Sequence, residues 1–283
     1  MTSATLATGR PTRQRRPART GRPLTRAAGL GLGVAMLWFS LLVLIPLTAV
    51  VVTASSGGWD EFWSAVTNPQ TAAAIRLTVG TALLVTLVNV VMGTAIAWVL
   101  VRDDRFVGRG VLEVLIDIPF ALPTIVAGLV LLSLYGPDSP LGVNIANTRI
   151  AVFLAFLFVT LPFVVRTVQP VLAELDVEAE EAAASLGASR FTIFRRIILP
   201  SLTPAIAAGA ALSFARGISE YGSLVLISGN LPMRTEVTSV RILSSIENDN
   251  LEGAAAVAAV LLVISFAVIV AVDVLQRRVV RRG

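Results

Sequence analysis

Six long apolar runs dominate the sequence, and they leave lipid as the one solvent in which it can fold. They lie at roughly 29–53, 73–101, 111–134, 149–172, 202–228 and 253–275. Each is near the ~20 residues that carry a helix across a bilayer core. In hydrocarbon a spanning segment must satisfy its own backbone N–H and C=O groups, so each run is predicted to be a helix. Only 14% of residues are charged and the mean hydropathy is +0.81, whereas a soluble domain carries about 25% charge. The predicted fold class is all-α integral membrane, with six transmembrane helices.

The arginines orient these spans. One set of connecting segments holds Arg10, Arg13, Arg15, Arg16, Arg19, Arg22 and Arg26, then Arg102, Arg105 and Arg109, then Arg190, Arg195 and Arg196, and finally Arg277, Arg278, Arg281 and Arg282. The opposite set holds only Arg76, Arg149, Arg234 and Arg241. Basic residues stay on the cytoplasmic side, so both termini are expected there, in a cell (inner) membrane. The net charge of +5 therefore reflects topology, and no nucleic-acid partner is expected. Residues 1–28 read as a disordered Arg-rich tail. Arg15-Arg16 precedes an apolar run too long for a signal-peptide core, so 29–53 reads as an uncleaved anchor. Residues 54–72 are an outer segment, with Trp59, Phe62, Trp63 and Val66 at helical spacing on a short interfacial helix. Residues 73–275 form the five-helix core, and 276–283 a second basic tail. The stretch 228–253 reads as a polar outer loop, solvated or facing a soluble partner.

The chain has no Cys, no His and no Lys. Thiolate and imidazole metal sites and Cys/His or Ser/His nucleophilic centres are excluded. A phosphate loop of the G-x-x-x-x-G-K-[ST] kind is excluded too. The expectation is a non-enzyme with no cofactor on this chain.

The cytoplasmic segment 173–200 has the pattern of a helix, a turn and a second helix. Its first half, with Glu178, Glu180, Glu181 and Ala182–Ala184, is made of strong helix formers. Gly187 is placed to end that helix with a positive φ. Phe191, Phe194 and Ile198 suggest an amphipathic second helix, and Pro200 can open the next span. Small residues at 182–184 would let a partner approach closely.

The residues Glu181, Ala182, Ala183, Gly187, Ile197, Leu199 and Pro200 fill every position of E-A-A-x3-G-x9-I-x-L-P. That signature resembles bacterial ABC importer permeases, in which it forms the coupling helix that docks on an ATPase subunit. The resemblance implies a type I ABC importer permease (MetI-like) fold with a cytoplasmic coupling helix. It further implies two ATPase subunits that bind ATP-Mg, a second permease subunit and an extracytoplasmic binding protein. Asp117-Ile118-Pro119-Phe120-Ala121-Leu122-Pro123-Thr124, Leu161–Leu172 and Thr235–Ser239 are similar to the sulfate/thiosulfate permeases, nearest the T-type (CysT-like) subunit, whose partner is a W-type permease and a sulfate-binding protein. Molybdate/tungstate permeases share part of the pattern and are the alternative cargo class. Ser219 stands where the family has Gly.

Charges within spans are functional candidates by default. Arg216 and Glu220 stand i, i+4 on one helix face, as a structural ion pair or as part of a translocation path for a dianion. Asp117 and Arg166 are each roughly 10 Å from the cytoplasmic end of their spans and are predicted to form a structural ion pair. Pro119 and Pro123 interrupt the third span, as a packed kink or as a path lining. Asn89 is expected to make a helix–helix hydrogen bond. An ion-coupled secondary anion transporter, with Glu220 as a proton relay, is the rival class. It leaves the 173–200 segment without a role and predicts internal repeats, which the sequence lacks.

Overall fold

The structure, a computed structural model, describes residues 25–103 and 105–280. The tail expected over 1–28 lies almost wholly outside these residues, and so do Arg281 and Arg282. Every regular element among the described residues is helical. The chain divides into two units, 1–47 and 48–283.

In the first unit, α1 (Arg26–Phe39) runs through a π-turn (Ser40–Leu44) into the start of α2 (Ile45–Ser56). Thr25 caps α1 by accepting from the Ala28 N–H. The π-turn ends two residues before Pro46, whose missing N–H breaks the regular ladder. The large apolar side chains of this unit, Leu30, Leu37 and Trp38 among them, are exposed.

The second unit begins within α2. There follow α3 (Gly58–Thr67), α4 (Pro69–Arg102), α5 (Arg109–Ala121), α6 (Thr124–Tyr135) and α7 (Arg149–Ala173). Then come α8 (Val177–Ser185), α9 (Arg190–Ile193), a π-turn (Phe194–Ile198), α10 (Leu199–Ile218), α11 (Gly222–Ile227), α12 (Thr238–Glu247) and α13 (Leu251–Val280). On α3, Trp59 stacks on Phe62 and Trp63, at ring distances of 5.5 and 6.1 Å.

Two expected spans are broken. The run 111–134 is not one helix, because α5 and α6 bend by 120° at Leu122-Pro123. Pro123 lacks an N–H and forces Leu122 into extended backbone (φ −85°, ψ 135°). Pro119, by contrast, is accommodated inside α5. The run 202–228 stops at Ser219 and restarts as α11. Ser219 has φ −84°, an ordinary value for an L-residue, so the family's Gly is not needed there. The outer stretch 228–253 is also more than a loop. It contains α12, and Thr235, Glu236, Val237 and Thr238 are buried.

The remaining spans are long helices: α4, α7 and α13 cover the runs 73–101, 149–172 and 253–275 and extend each of them. Helices α4, α7 and α10 form the centre and bury two apolar clusters. One holds Val85, Val152, Phe156, Phe214 and Leu224. The other holds Leu100, Val165, Leu172, Ile193 and Leu202. Between them Asn89 donates to Thr160 Oγ1 at 2.7 Å and to Ser213 Oγ at 3.2 Å, joining all three helices. Without a hydrophobic force between helices in lipid, such bonds help set the register.

Candidate functional site

The segment Val177–Ile198 is built from strong local signals. Asp176 caps α8 through the Glu178 N–H at 2.9 Å. At the other end Gly187 adopts φ +82°. Its N–H donates to the Ala184 carbonyl and the Ala188 N–H to the Ala183 carbonyl. This pair of bonds is a Schellman motif, and it gives the Ala183…Gly187 spacing a physical meaning. Ser189 then caps α9 through the Thr192 N–H.

The faces of the segment are sharply divided. Glu181, Ala182, Ala184, Ser185 and Gly187 are exposed, and Ala183 is half-buried. Leu186 is 89% exposed and Phe191 69%. Ile193 and Ile198 are buried, and Phe194 and Ile197 pack beside them. The expected face of Phe191, Phe194 and Ile198 is therefore split. The π-turn before Pro200, closed by the Leu199 N–H donating to the Phe194 carbonyl, shifts the helical phase and leaves Phe191 outside. Leu199 and Pro200 open α10 with exposed side chains.

The segment is tied to the end of α4. Arg102 pairs with Glu180, lies over the Trp98 ring at 5.4 Å, and Trp98 meets Phe194 edge-on at 5.7 Å. None of these three contacts was read from sequence. Glu180 and Arg102 are 78 residues apart, beyond the reach of any local pattern.

The charged candidates meet in pairs. Arg166 holds Asp117 with both arms of its guanidinium, Nε at 2.8 Å from Oδ1 and Nη2 at 2.5 Å from Oδ2. Its Nη1 donates to Gln169 at 2.8 Å. This fork pins α5 to α7. Arg216 Nη2 lies 2.8 Å from Glu220 Oε2. Glu220 is 1% exposed, and its Oε1 accepts from the Ser223 N–H at 2.8 Å and Oγ at 2.9 Å. The carboxylate thus caps α11 as well as pairing with Arg216.

The two span breaks lie side by side. A Cβ on Gly222 would sit 2.1 Å from Thr124 Oγ1 and 2.9 Å from the Ile125 nitrogen, and one on Gly128 would sit 2.6 Å from the Ser223 carbonyl oxygen. Pro123 and Glu220 therefore flank one tight junction of α6 and α11. Pro123 is exposed and Pro119 half-buried. Next to Glu220, Tyr221, Ser239, Ile242, Leu243 and Ile246 line an open hollow of about 310 Å³. From sequence, Ser239 and Tyr221 entered only as parts of family-like stretches, and Ile242, Leu243 and Ile246 were not singled out.

Residues 89–282 match the family model described as a binding-protein-dependent transport system inner membrane component. The chain is 43% identical over 260 residues to the sulfate transport system permease protein CysT of Salmonella typhimurium, covering 89% of this chain and 94% of that relative. The CysT of Escherichia coli is 42% identical with the same coverage, and that of Synechocystis is 43% identical over 86% of this chain and 87% of the relative. A solved bacterial ABC transporter that imports the acidic polysaccharide alginate has a similar chain, with TM-score 0.70, 15% identity, and coverage of 89% of this chain and 95% of that one. The alginate transporter in complex with an alginate-bound periplasmic protein gives TM-score 0.71, with 16% identity over 90% and 95%. The fold is the one expected, that of ABC importer permeases.

Proposed function

The chain belongs to the binding-protein-dependent transport system inner membrane components, and from that membership we propose that it is the T-type permease subunit for sulfate, with thiosulfate as a second cargo. It is a multi-pass membrane transport subunit and not an enzyme. Sulfate as cargo is supported by relatives named as sulfate permeases at 41–44% identity.

The observation that carries the mechanism is the exposed, internally braced segment Val177–Ile198. An ATPase subunit that binds ATP-Mg docks there, on Leu186, Phe191 and the small face of Ala182 and Ala184. Its movement is passed on by the Arg102–Glu180 pair to α4, and by Ile193 and Ile198 to the cluster shared with α7 and α10. In this reading both termini and the segment are cytoplasmic, in the inner membrane, as the arginine distribution favours. A W-type second permease, two ATPase subunits and an extracytoplasmic sulfate-binding protein complete the importer. Arg216 meets the dianion transiently on its way.

Labelled sulfate uptake in proteoliposomes, with the ATPase subunits and binding protein added separately, tests this. Uptake that needs both ATP and the binding protein is expected. Uptake driven by a proton gradient alone would overturn it, and preferential competition by molybdate would overturn the sulfate assignment.

A further inference from the structure

At the amino-terminal end of α4, the opposite end of that 34-residue helix from Arg102, the elements α3, α4, α12 and α13 border a cavity of about 180 Å³. That is room for about six waters. Its chemistry is one-sided. Arg241 is its only cation, and among the described residues no carboxylate lies within ion-pair distance of that guanidinium. Its Nε makes only a long 3.4 Å contact to Thr71 Oγ1. Thr71 is 2% exposed, and its hydroxyl hydrogen reaches no acceptor among the described residues.

The two asparagines in the lining spend their oxygens on helix caps. Asn68 Oδ1 accepts from the Gln70 N–H at the start of α4, and Asn250 Oδ1 from the Gly253 N–H at the start of α13. Each side chain is exposed at the cavity mouth and is left with an amide NH₂ that has no acceptor among the described residues, and each cap marks the positive end of a long helix. The lining also contains one acid, Glu61, which makes no ion pair with Arg241. A Cβ on Gly57 would lie 2.4 Å from Glu61 Oε2, so the carboxylate folds back over the start of α3.

From this set of unspent donors around an unpaired guanidinium, we infer that the cavity binds a tetrahedral oxyanion. A guanidinium fork and neutral N–H and O–H donors match its oxygens. The anion has two sources, free sulfate or the phosphate of a lipid headgroup. Bound there, it ties the four elements together. The site stands on the cavity alone and does not depend on which anion is transported.

The chain has no cysteine, so Ser245→Cys puts the chain's one thiol in the cavity wall. In the purified transporter complex, its labelling by N-ethylmaleimide is measured with sulfate or with chloride at equal ionic strength. Sulfate at tenfold above its dissociation constant is expected to slow labelling by about tenfold. Arg241→Gln in the same background abolishes the protection, and Thr71→Val, close in size if the arginine variant fails to assemble, weakens it. Protection by added phosphatidylglycerol after delipidation, with none from sulfate, assigns the site to a headgroup. No protection from either anion, or full protection in the Arg241→Gln protein, overturns the inference. Uptake assays in the same variants keep this result separate from the transport reading, because a complex can lose protection and still carry sulfate.

Discussion

Arg166 grips both oxygens of Asp117, at 2.8 and 2.5 Å, and so fastens the short helix before the Pro123 break to the long central helix α7. Both side chains are partly exposed, so the pair contributes about 1 kcal/mol rather than the value of a buried bridge. Arg166→Lys keeps the charge and loses the fork. It is expected to lower the melting temperature of the detergent-solubilised chain by a few degrees. The exchange Asp117→Arg with Arg166→Asp should recover part of what either single reversal loses, and a double-mutant cycle with no coupling would contradict a direct pair.

Gly187 sits at φ +82°. Any side chain there incurs about 1–2 kcal/mol for the left-handed conformation. Gly187→Ala is expected to leave the chain in the membrane and weaken ATPase docking, because the Schellman turn that separates α8 from α9 opens. Co-purification of the ATPase subunit measures this.

Leu186 and Phe191 protrude while Ile193 is buried. Truncating exposed apolar anchors at an interface costs about 2 kcal/mol or more of binding. Leu186→Ala and Phe191→Ala should each weaken ATPase association by about 30-fold, with no change in thermal stability of the isolated chain. Ile193→Ala should instead destabilise the chain by about 2–5 kcal/mol. Equal behaviour of the three variants would refute the division of faces.

Gly128 and Gly222 let α6 and α11 touch backbone to backbone. Since backbone cannot swing aside, Gly128→Ala is expected to cost about 1–3 kcal/mol. Reduced yield and a lower melting temperature should appear, while the ATPase interface stays intact.

Glu220 caps α11 and pairs with Arg216. Glu220→Ala removes the acceptor for a buried N–H and is expected to cost about 1–3 kcal/mol. Glu220→Gln retains the cap and should be milder. Arg216→Gln is expected to assemble normally and lower sulfate uptake. Normal uptake with intact assembly would assign Arg216 a purely structural part.

Much of this was legible beforehand because it depends on few neighbouring residues. A helical reading of the apolar runs follows from what a bilayer demands of a backbone. The helix stop at Gly187 follows from a glycine after a run of helix formers, and the ion pair Arg216–Glu220 from i, i+4 spacing. The split of Phe191 from Phe194 was not legible, because one π-turn before Pro200 changes the phase of everything upstream of it. Nor was the helix within 228–253, where polar residues such as Thr238 and Glu236 are buried by partners far along the chain: the Thr238 N–H donates to Thr78, and Glu236 accepts from Gln70.

By itself the sequence determined an all-helical membrane chain, the places of its apolar runs and the turn of its exposed segment, since each follows from interactions within a few helical turns. Tertiary structure alone decided that Arg102 meets Glu180, that Arg166 closes on both Asp117 oxygens, and that the breaks at Pro123 and Glu220 share one glycine-lined junction. Those contacts join residues tens of positions apart, and only packing the helices against one another brings them within bonding distance.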